Sequence, residues 1–262
     1  MLELLISYVF LVFIAVSSVF FFLCSLLIWL LTVPFDRRLR LLHLFSSFWA
    51  AFYVWIMPAW RVSLSGREKV RPEATYMIVS NHQPQVDILV AFMLFIPFKW
   101  VSKIEVFRLP FIGWNMVLNR YIALKRGDRE SIQKMLANCE ETLAAGNSVW
   151  IFPEGTRSRS GRLKAFKTGA FTLAKRMDIP ILPVVINGSR NALPKNSLVV
   201  RGRHRIRVRV LDEIPPERFR DLSAAETAEM VRGIILPHVA EHREDGPAQD
   251  VPASSRQCGV EQ

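Results

Sequence analysis

The chain predicts an α/β layered domain with a mixed, largely parallel central sheet flanked by helices, preceded by an N-terminal membrane-embedded helical hairpin. Three observations carry that prediction. Two long apolar segments open the chain, one without a charged residue between Glu3 and Asp36 and one from Leu41 to Trp60. From Arg61 onward, short β-like runs alternate with helical patterns, the order from which layered α/β sheets are built. Finally, 51% of the 262 residues are hydrophobic while the formal net charge is +11. A soluble nucleic-acid binder shares the charge and not the apolar content, so the pairing points to an anionic membrane or an anionic substrate.

The first apolar run exceeds the roughly 20 residues needed to cross a bilayer. It lacks a basic leader and a small-residue cleavage site, so it is expected to be retained. Tyr8 and Trp29 lie near its ends, as interfacial aromatics do. Pro34 ends the run, and Asp36 to Arg40 forms a short basic turn before the second segment. Two full crossings would put that turn and the basic domain after Arg61 on opposite sides, against the positive-inside tendency. The pattern therefore favours a hairpin lying in one leaflet over a spanning segment. Residues 1–60 form this hairpin, 61–242 the α/β domain, and 243–262 a polar tail with Gly and Pro that is expected to be disordered. Cys24, Cys139 and Cys258 are odd in number and far apart, with no metal spacing. They suggest a reducing, cytosol-facing domain without a disulfide framework or metal site.

Within the domain the expected strands are Tyr76–Ser80, Phe98–Ser102, Arg120–Leu124, Val149–Phe152, Ile181–Ile186 and Ile206–Leu211. Helical patterns cover Ile88–Phe95, Arg129–Ala145, Thr168–Met177 and Glu226–His242. Asp128 is placed as an N-cap and Gly146 as a C-terminal stop. Arg201, Arg203, Arg205, Arg207 and Arg209 alternate with other residues, which in a strand sets every arginine on one face. Such a strand is either an edge defended by charge or a basic surface facing a membrane. Nucleic acid is the weaker reading, because no stacking aromatics interleave.

The chemistry is expected at Asn81-His82-Gln83-Pro84-Gln85-Val86-Asp87, between a buried strand and a helix. Pro84 suits the first helical position. His82 and Asp87, five apart, would not share a face of a continuous helix. With His82 in the turn, its ring can fold back so that Asp87 accepts from one ring nitrogen and leaves the other as a base. His-x4-Asp alone also describes an ordinary loop histidine. A second turn, Pro153-Glu154-Gly155-Thr156-Arg157-Ser158, follows the strand at Val149–Phe152 and should emerge on the same sheet edge. His82 and Glu154 could then share a pocket, Gly155 would permit close backbone approach, and Arg157 offers a planar fork suited to phosphate. Arg159, Arg162, Lys164 and Lys167 crowd behind this turn. At the end of the Arg120–Leu124 strand, Lys125 and Arg126 are both candidate anion ligands, and spacing alone does not choose between them.

Taken in order, Asn81-His82-x4-Asp87, the Lys103 to Arg126 block, Phe152-Pro153-Glu154-Gly155-Thr156-Arg157-Ser158 and Ile181-Leu182-Pro183-Val184-Val185 resemble the four motifs of the glycerolipid acyltransferase family. Within it the chain looks most like the 1-acylglycerol-3-phosphate (lysophosphatidate) acyltransferases. The likeness runs from about Pro72 to Leu211, and the apolar hairpin is similar to that of the bacterial members. The resemblance implies transfer of an acyl chain from an acyl thioester, on coenzyme A or acyl carrier protein, to the sn-2 hydroxyl of a lysophosphatidate acceptor in the membrane. It implies no cofactor beyond that co-substrate, no nucleic-acid partner, and a bacterial-type inner membrane with the catalytic domain facing the cytoplasm. His82 would be the general base and Asp87 its orienting partner. Arg126 and Arg157 would hold the acceptor's phosphate with help from Lys103, while Glu154, Gly155 and Thr156 would shape the glycerol site. Two positions depart from the family pattern, Pro84 where Ser is common and Asn119 where Gly is common. Another lysolipid acceptor, a hydrolase and a non-catalytic lipid-binding protein are the alternatives.

Overall fold

The computed structural model describes residues 2–156, 162–190, 192, 200 and 202–239. Arg157, Arg201, Cys258, the tail from 243 and the last turn expected of the final helix lie outside these residues. A long helix, α1 (Leu2–Thr32), opens the chain, and α2 (Arg40–Ile56) folds back against it. Asp36 starts α2 by accepting from the Arg40 and Leu41 backbone N–H groups at 3.0 and 2.8 Å, the usual service of an acidic cap.

Then come β1 (Trp60–Ser65), β2 (Met77–Ser80), α3 (Val86–Phe92), β3 (Lys99–Lys103), α4 (Ile112–Leu118), β4 (Ile122–Leu124), α5 (Arg129–Ala144), β5 (Val149–Ile151), α6 (Gly169–Arg176), β6 (Ile181–Asn187), β7 (His204–Val210) and α7 (Ala224–Ile235). The strands form one seven-stranded sheet in the order β1-β7-β6-β2-β5-β3-β4. From β6 to β4 all neighbours are parallel, while β7 runs antiparallel to β6 and parallel to β1. The carboxyl ends of β2, β3, β4, β5 and β6 therefore gather on one edge.

Strand alternation divides the core into two layers. Ile78, Trp150, Leu182 and Ile206 face one cluster with Ala51 and Val54 of α2 and Val90 of α3. Met77, Val79, Val149 and Val185 face the other, with Cys139, Phe171 and Val231 from α5, α6 and α7. Helix ends follow their local chemistry. Asp128 accepts from Ser131 N–H at 3.0 Å, and Gly146 turns the chain at a positive φ of 75°, which glycine adopts without strain. Ser223 and Glu226 form a reciprocal capping box on α7.

Four expectations are revised. The second arm of the hairpin is not packed on α1 alone: Trp49 and Tyr53 of α2 meet Phe21 of α1, while Ala50, Ala51 and Val54 join the domain core and His43 lies within hydrogen-bond distance of Tyr121 Oη and the Ile96 carbonyl. That helix thus bridges α1 and the α/β domain, and among the described residues α1 alone is long and apolar enough to cross a membrane. Pro84 does not open α3; the helix starts at Val86, which leaves Asp87 in its first turn. A strand at Trp60–Ser65 was not anticipated, although Trp-Arg-Val-Ser-Leu-Ser alternates with the strand period. Lastly, the arginine strand is no edge. β7 lies between β1 and β6, with Arg205, Arg207 and Arg209 exposed on one face and Ile206, Val208 and Val210 buried on the other.

Candidate active site

The turn after β2 is clamped on three sides. Ser80 Oγ accepts from Trp150 Nε1 at 2.9 Å. The Asn81 amide behaves like an extra strand residue, donating to Ile186 O at 2.8 Å and accepting from Ile186 N–H at 2.9 Å. The His82 N–H donates to Glu154 Oε1 at 2.9 Å. Glu154 is buried, and its second oxygen accepts from Lys164 N–H at 3.1 Å. Burial raises the Glu154 pKa, opposed by those two backbone donors.

His82 Nδ1 stands 3.0 Å from Asp87 Oδ2, and the same oxygen accepts from Gln83 N–H at 2.6 Å. A carboxylate can only accept, so Nδ1 carries the proton and Nε2 is left with a free lone pair. The imidazole lies flat on Phe152, with centroids 4.0 Å apart and planes 15° from parallel. His82 is 6% and Asp87 0% exposed, so the pair is held in a dry, fixed geometry. A positioned base of this kind can take a proton from a hydroxyl brought against Nε2.

His82 opens onto an apolar cavity of about 340 Å³. Trp100 and Phe152 line it near the ring, Trp49 and Ile14 reach it from α2 and α1, and Met116 closes it from α4. Lys103 and Arg126 border the same cavity, because β3 and β4 end on the edge where β2 ends. The two adjacent cations that spacing left open occupy different places. Lys125 turns away to pair with Asp128 at 3.0 Å, whereas Arg126 lines the cavity. The Lys103 ammonium pairs with Glu105 at 3.0 Å and is half exposed.

Gly155 adopts a φ of 69°, a conformation that residues with a side chain rarely take, and this explains the glycine. Thr156 Oγ1 accepts from Lys164 Nζ at 3.1 Å. His82, Asp87, Glu154, Lys103 and Arg126 are thus brought to one edge, and Gly155 and Thr156 follow Glu154 in the same loop. Arg157 lies outside the described residues. Asn119 is used structurally: it donates to Ser46 Oγ at 3.0 Å and to Asn115 O at 2.9 Å, tying α4 to α2 beside the cavity. Sequence reasoning missed the stacking role of Phe152 and the bridging role of Asn81. Both open the motif runs quoted above, where neither had been given a role. Among the described residues no group of three or more His, Cys, Asp or Glu could hold a metal ion.

The Acyltransferase family profile matches residues 61–187. The 1-acyl-sn-glycerophosphate (LPA) acyltransferase PlsC of Thermotoga maritima superposes with a TM-score of 0.76 at 23% identity, covering 90% of this chain and 94% of that one, so the fold is shared. A 1-acyl-sn-glycerol-3-phosphate acyltransferase of Chlamydomonas reinhardtii is 32% identical over 80% of this chain and 63% of its own length. The chain spans about half to just under two thirds of the first curated relatives it matches. A putative 1-acyl-sn-glycerol-3-phosphate acyltransferase of Caenorhabditis elegans is 30% identical over 74% of this chain and 68% of its own length. On that likeness, and on a motif set gathered at one sheet edge, the chain belongs to the 1-acyl-sn-glycerol-3-phosphate acyltransferase family.

Proposed function

We propose that the protein transfers an acyl chain from an acyl thioester to the sn-2 hydroxyl of 1-acylglycerol-3-phosphate, making phosphatidate. The observation that carries the reading is the His82–Asp87 pair at the mouth of an apolar cavity bordered by Arg126 and Lys103. The acyl chain lies in the cavity, whose lining is aromatic and aliphatic. The acceptor's phosphate is held by Arg126 with Arg157, helped by Lys103, since a guanidinium fork fits phosphate oxygens. The sn-2 oxygen attacks the thioester carbonyl while its proton passes to His82 Nε2. Asp87 stabilises the imidazolium that forms, as the acid does in a serine-protease triad. Collapse of the tetrahedral adduct breaks the C–S bond, and the leaving thiolate takes the proton back from Nε2. The substrate alcohol replaces the serine, so no acyl-enzyme forms.

The donor is acyl-CoA or an acylated carrier protein, arriving from the cytoplasm, and the membrane is of the bacterial inner type. The α1 helix lies in one leaflet. Glu3 and Ser7 accept from the Gly202 and Val200 N–H groups, and Phe22 packs on Trp114 with centroids 5.5 Å apart. Attachment from residue 3 to residue 22 covers about 30 Å of helix. A perpendicular crossing would drag the polar domain into hydrocarbon. Cysteine labelling at positions 37 and 67 on the same face is expected, and opposite faces would end this topology.

General-base catalysis is worth roughly 10²–10⁴-fold. His82→Ala should lose turnover of lysophosphatidate and acyl thioester by that factor while vesicle binding stays unchanged. Retained turnover in purified His82→Ala protein would refute the mechanism, and fatty-acid release without acceptor would identify a hydrolase instead.

A further inference from the structure

We propose that the arginine stripe across β1 and β7 is a docking surface for an acidic carrier protein that presents the acyl thioester on a flexible arm. The inference rests on the acyl-transfer reading above and adds to it the donor's docking place.

Arg61, Arg205, Arg207 and Arg209 are all exposed. The parallel register sets Arg61 opposite Arg205, with Ser63 and Ser65 opposite Arg207 and Arg209. Like charges directly opposite destabilise a strand pair, and serines leave the neighbouring guanidinium groups uncovered. None of the four forms an ion pair with a carboxylate among the described residues. Defence of a sheet edge does not explain the pattern, because the charges concentrate on β7 and the edge is β1. An anion from outside the chain does explain it.

The sheet decides which anion. Ile206, Val208 and Val210 point into the cluster beneath α2 and α3, and α1 packs on α2 on that side, through Phe21 and Trp49 among others. The arginines project from the other face, on the side of α7. A bilayer lying against α1 is on the far side of the sheet from them, so the partner approaches through water. The stripe is nonetheless close to the chemistry. β1 and β7 begin at the edge where β6 ends, and the Arg205 carbonyl abuts Gly188 just beyond β6. β7 lies two strands from β2, roughly 10 Å along the sheet at the usual spacing, and the flexible arm carries the thioester round this edge to the cavity on the opposite face. Carboxylates displayed on a helical protein surface match guanidinium forks geometrically, and complementary charge speeds encounter.

The test compares two donors of the same acyl chain, one on acyl carrier protein and one on coenzyme A. Wild-type protein is set against a triple variant, Arg205→Gln with Arg207→Gln and Arg209→Gln. The expected result is a KM for the carrier-bound donor raised about tenfold or more and no longer sensitive to salt. Kinetics with the coenzyme A donor should stay within about twofold, which also shows that the fold is intact. Unchanged carrier kinetics would overturn the proposal, as would equal loss with both donors. So would loss of binding to phosphatidylglycerol vesicles, which would mark the stripe as a lipid surface. If the wild type accepts coenzyme A donors and refuses the carrier, the docking inference fails and the acyl-transfer reading survives. If it accepts neither, the acyl-transfer reading itself has failed.

Discussion

Glu154 carries a question that one atom can answer. The family likeness assigns it to the glycerol site, but both of its carboxylate oxygens accept backbone N–H bonds, from His82 and Lys164. Those bonds make it a positioning residue for the catalytic turn. Glu154→Gln turns one acceptor into a donor facing an N–H, which loosens the turn by removing a charge-assisted bond. Small misplacements of a base cost up to about 10²-fold. We expect kcat to fall roughly tenfold with the KM for lysophosphatidate nearly unchanged. A raised KM with intact kcat would show instead that the carboxylate touches the acceptor. At this scale the sequence was legible where chemistry is local. The His82–Asp87 contact follows from a five-residue separation and a turn. The Asn81–Ile186 bridge spans 105 positions and could not be read from either end.

Among the elements, lengths and types were legible because strand alternation, caps and glycine stops are short-range signals. Asp128, Gly146 and the α5 span are examples. Partner choice was not. α2 read as a membrane arm because Trp, Phe and Tyr are equally at home in lipid and in a protein core, and only the packed structure shows Ala50, Ala51 and Val54 joining the domain core. An edge was one of two readings open for β7, because a strand's neighbours are set by long-range pairing. The same ambiguity yields a prediction for α4, a short helix that the sequence reading passed over. Trp114 and Val117 remain 46% and 60% exposed beside Phe22 of α1. They extend the apolar surface of α1, so α4 should enter the lipid with it. Burying each of these side chains further is worth about 1 kcal/mol. The double variant Trp114→Ser with Val117→Ser should therefore weaken vesicle partition about tenfold or somewhat more. Sedimentation with vesicles measures it, and unchanged partition would remove α4 from the membrane face.

For the whole molecule, two buried basic groups each make stability depend on pH. His43 is enclosed between Tyr121 Oη at 2.8 Å and the Ile96 carbonyl at 3.0 Å. Burial, aided by the Lys99 charge, lowers its pKa from 6.5 to about 3. Lys99 is 4% exposed, and its ammonium has no hydrogen-bond partner among the described residues. Burial chiefly lowers its pKa from 10.5 to about 8, with Asp36 opposing and Arg120 assisting. In both intervals the unfolded chain binds the proton and the folded chain does not, so stability rises with pH there. Stability should then fall as pH drops from 6.5 toward 3. Separately, the Lys99 penalty is complete below pH 8 and vanishes above 10.5. Lys99→Met keeps the stem and removes the charge, so at pH 7 it should stabilise the fold by about 1–3 kcal/mol. The gain should shrink steadily between pH 8 and 10.5. Denaturant midpoints across that range measure it, and a gain independent of pH would mean that packing, not the buried ammonium, limits this part of the core.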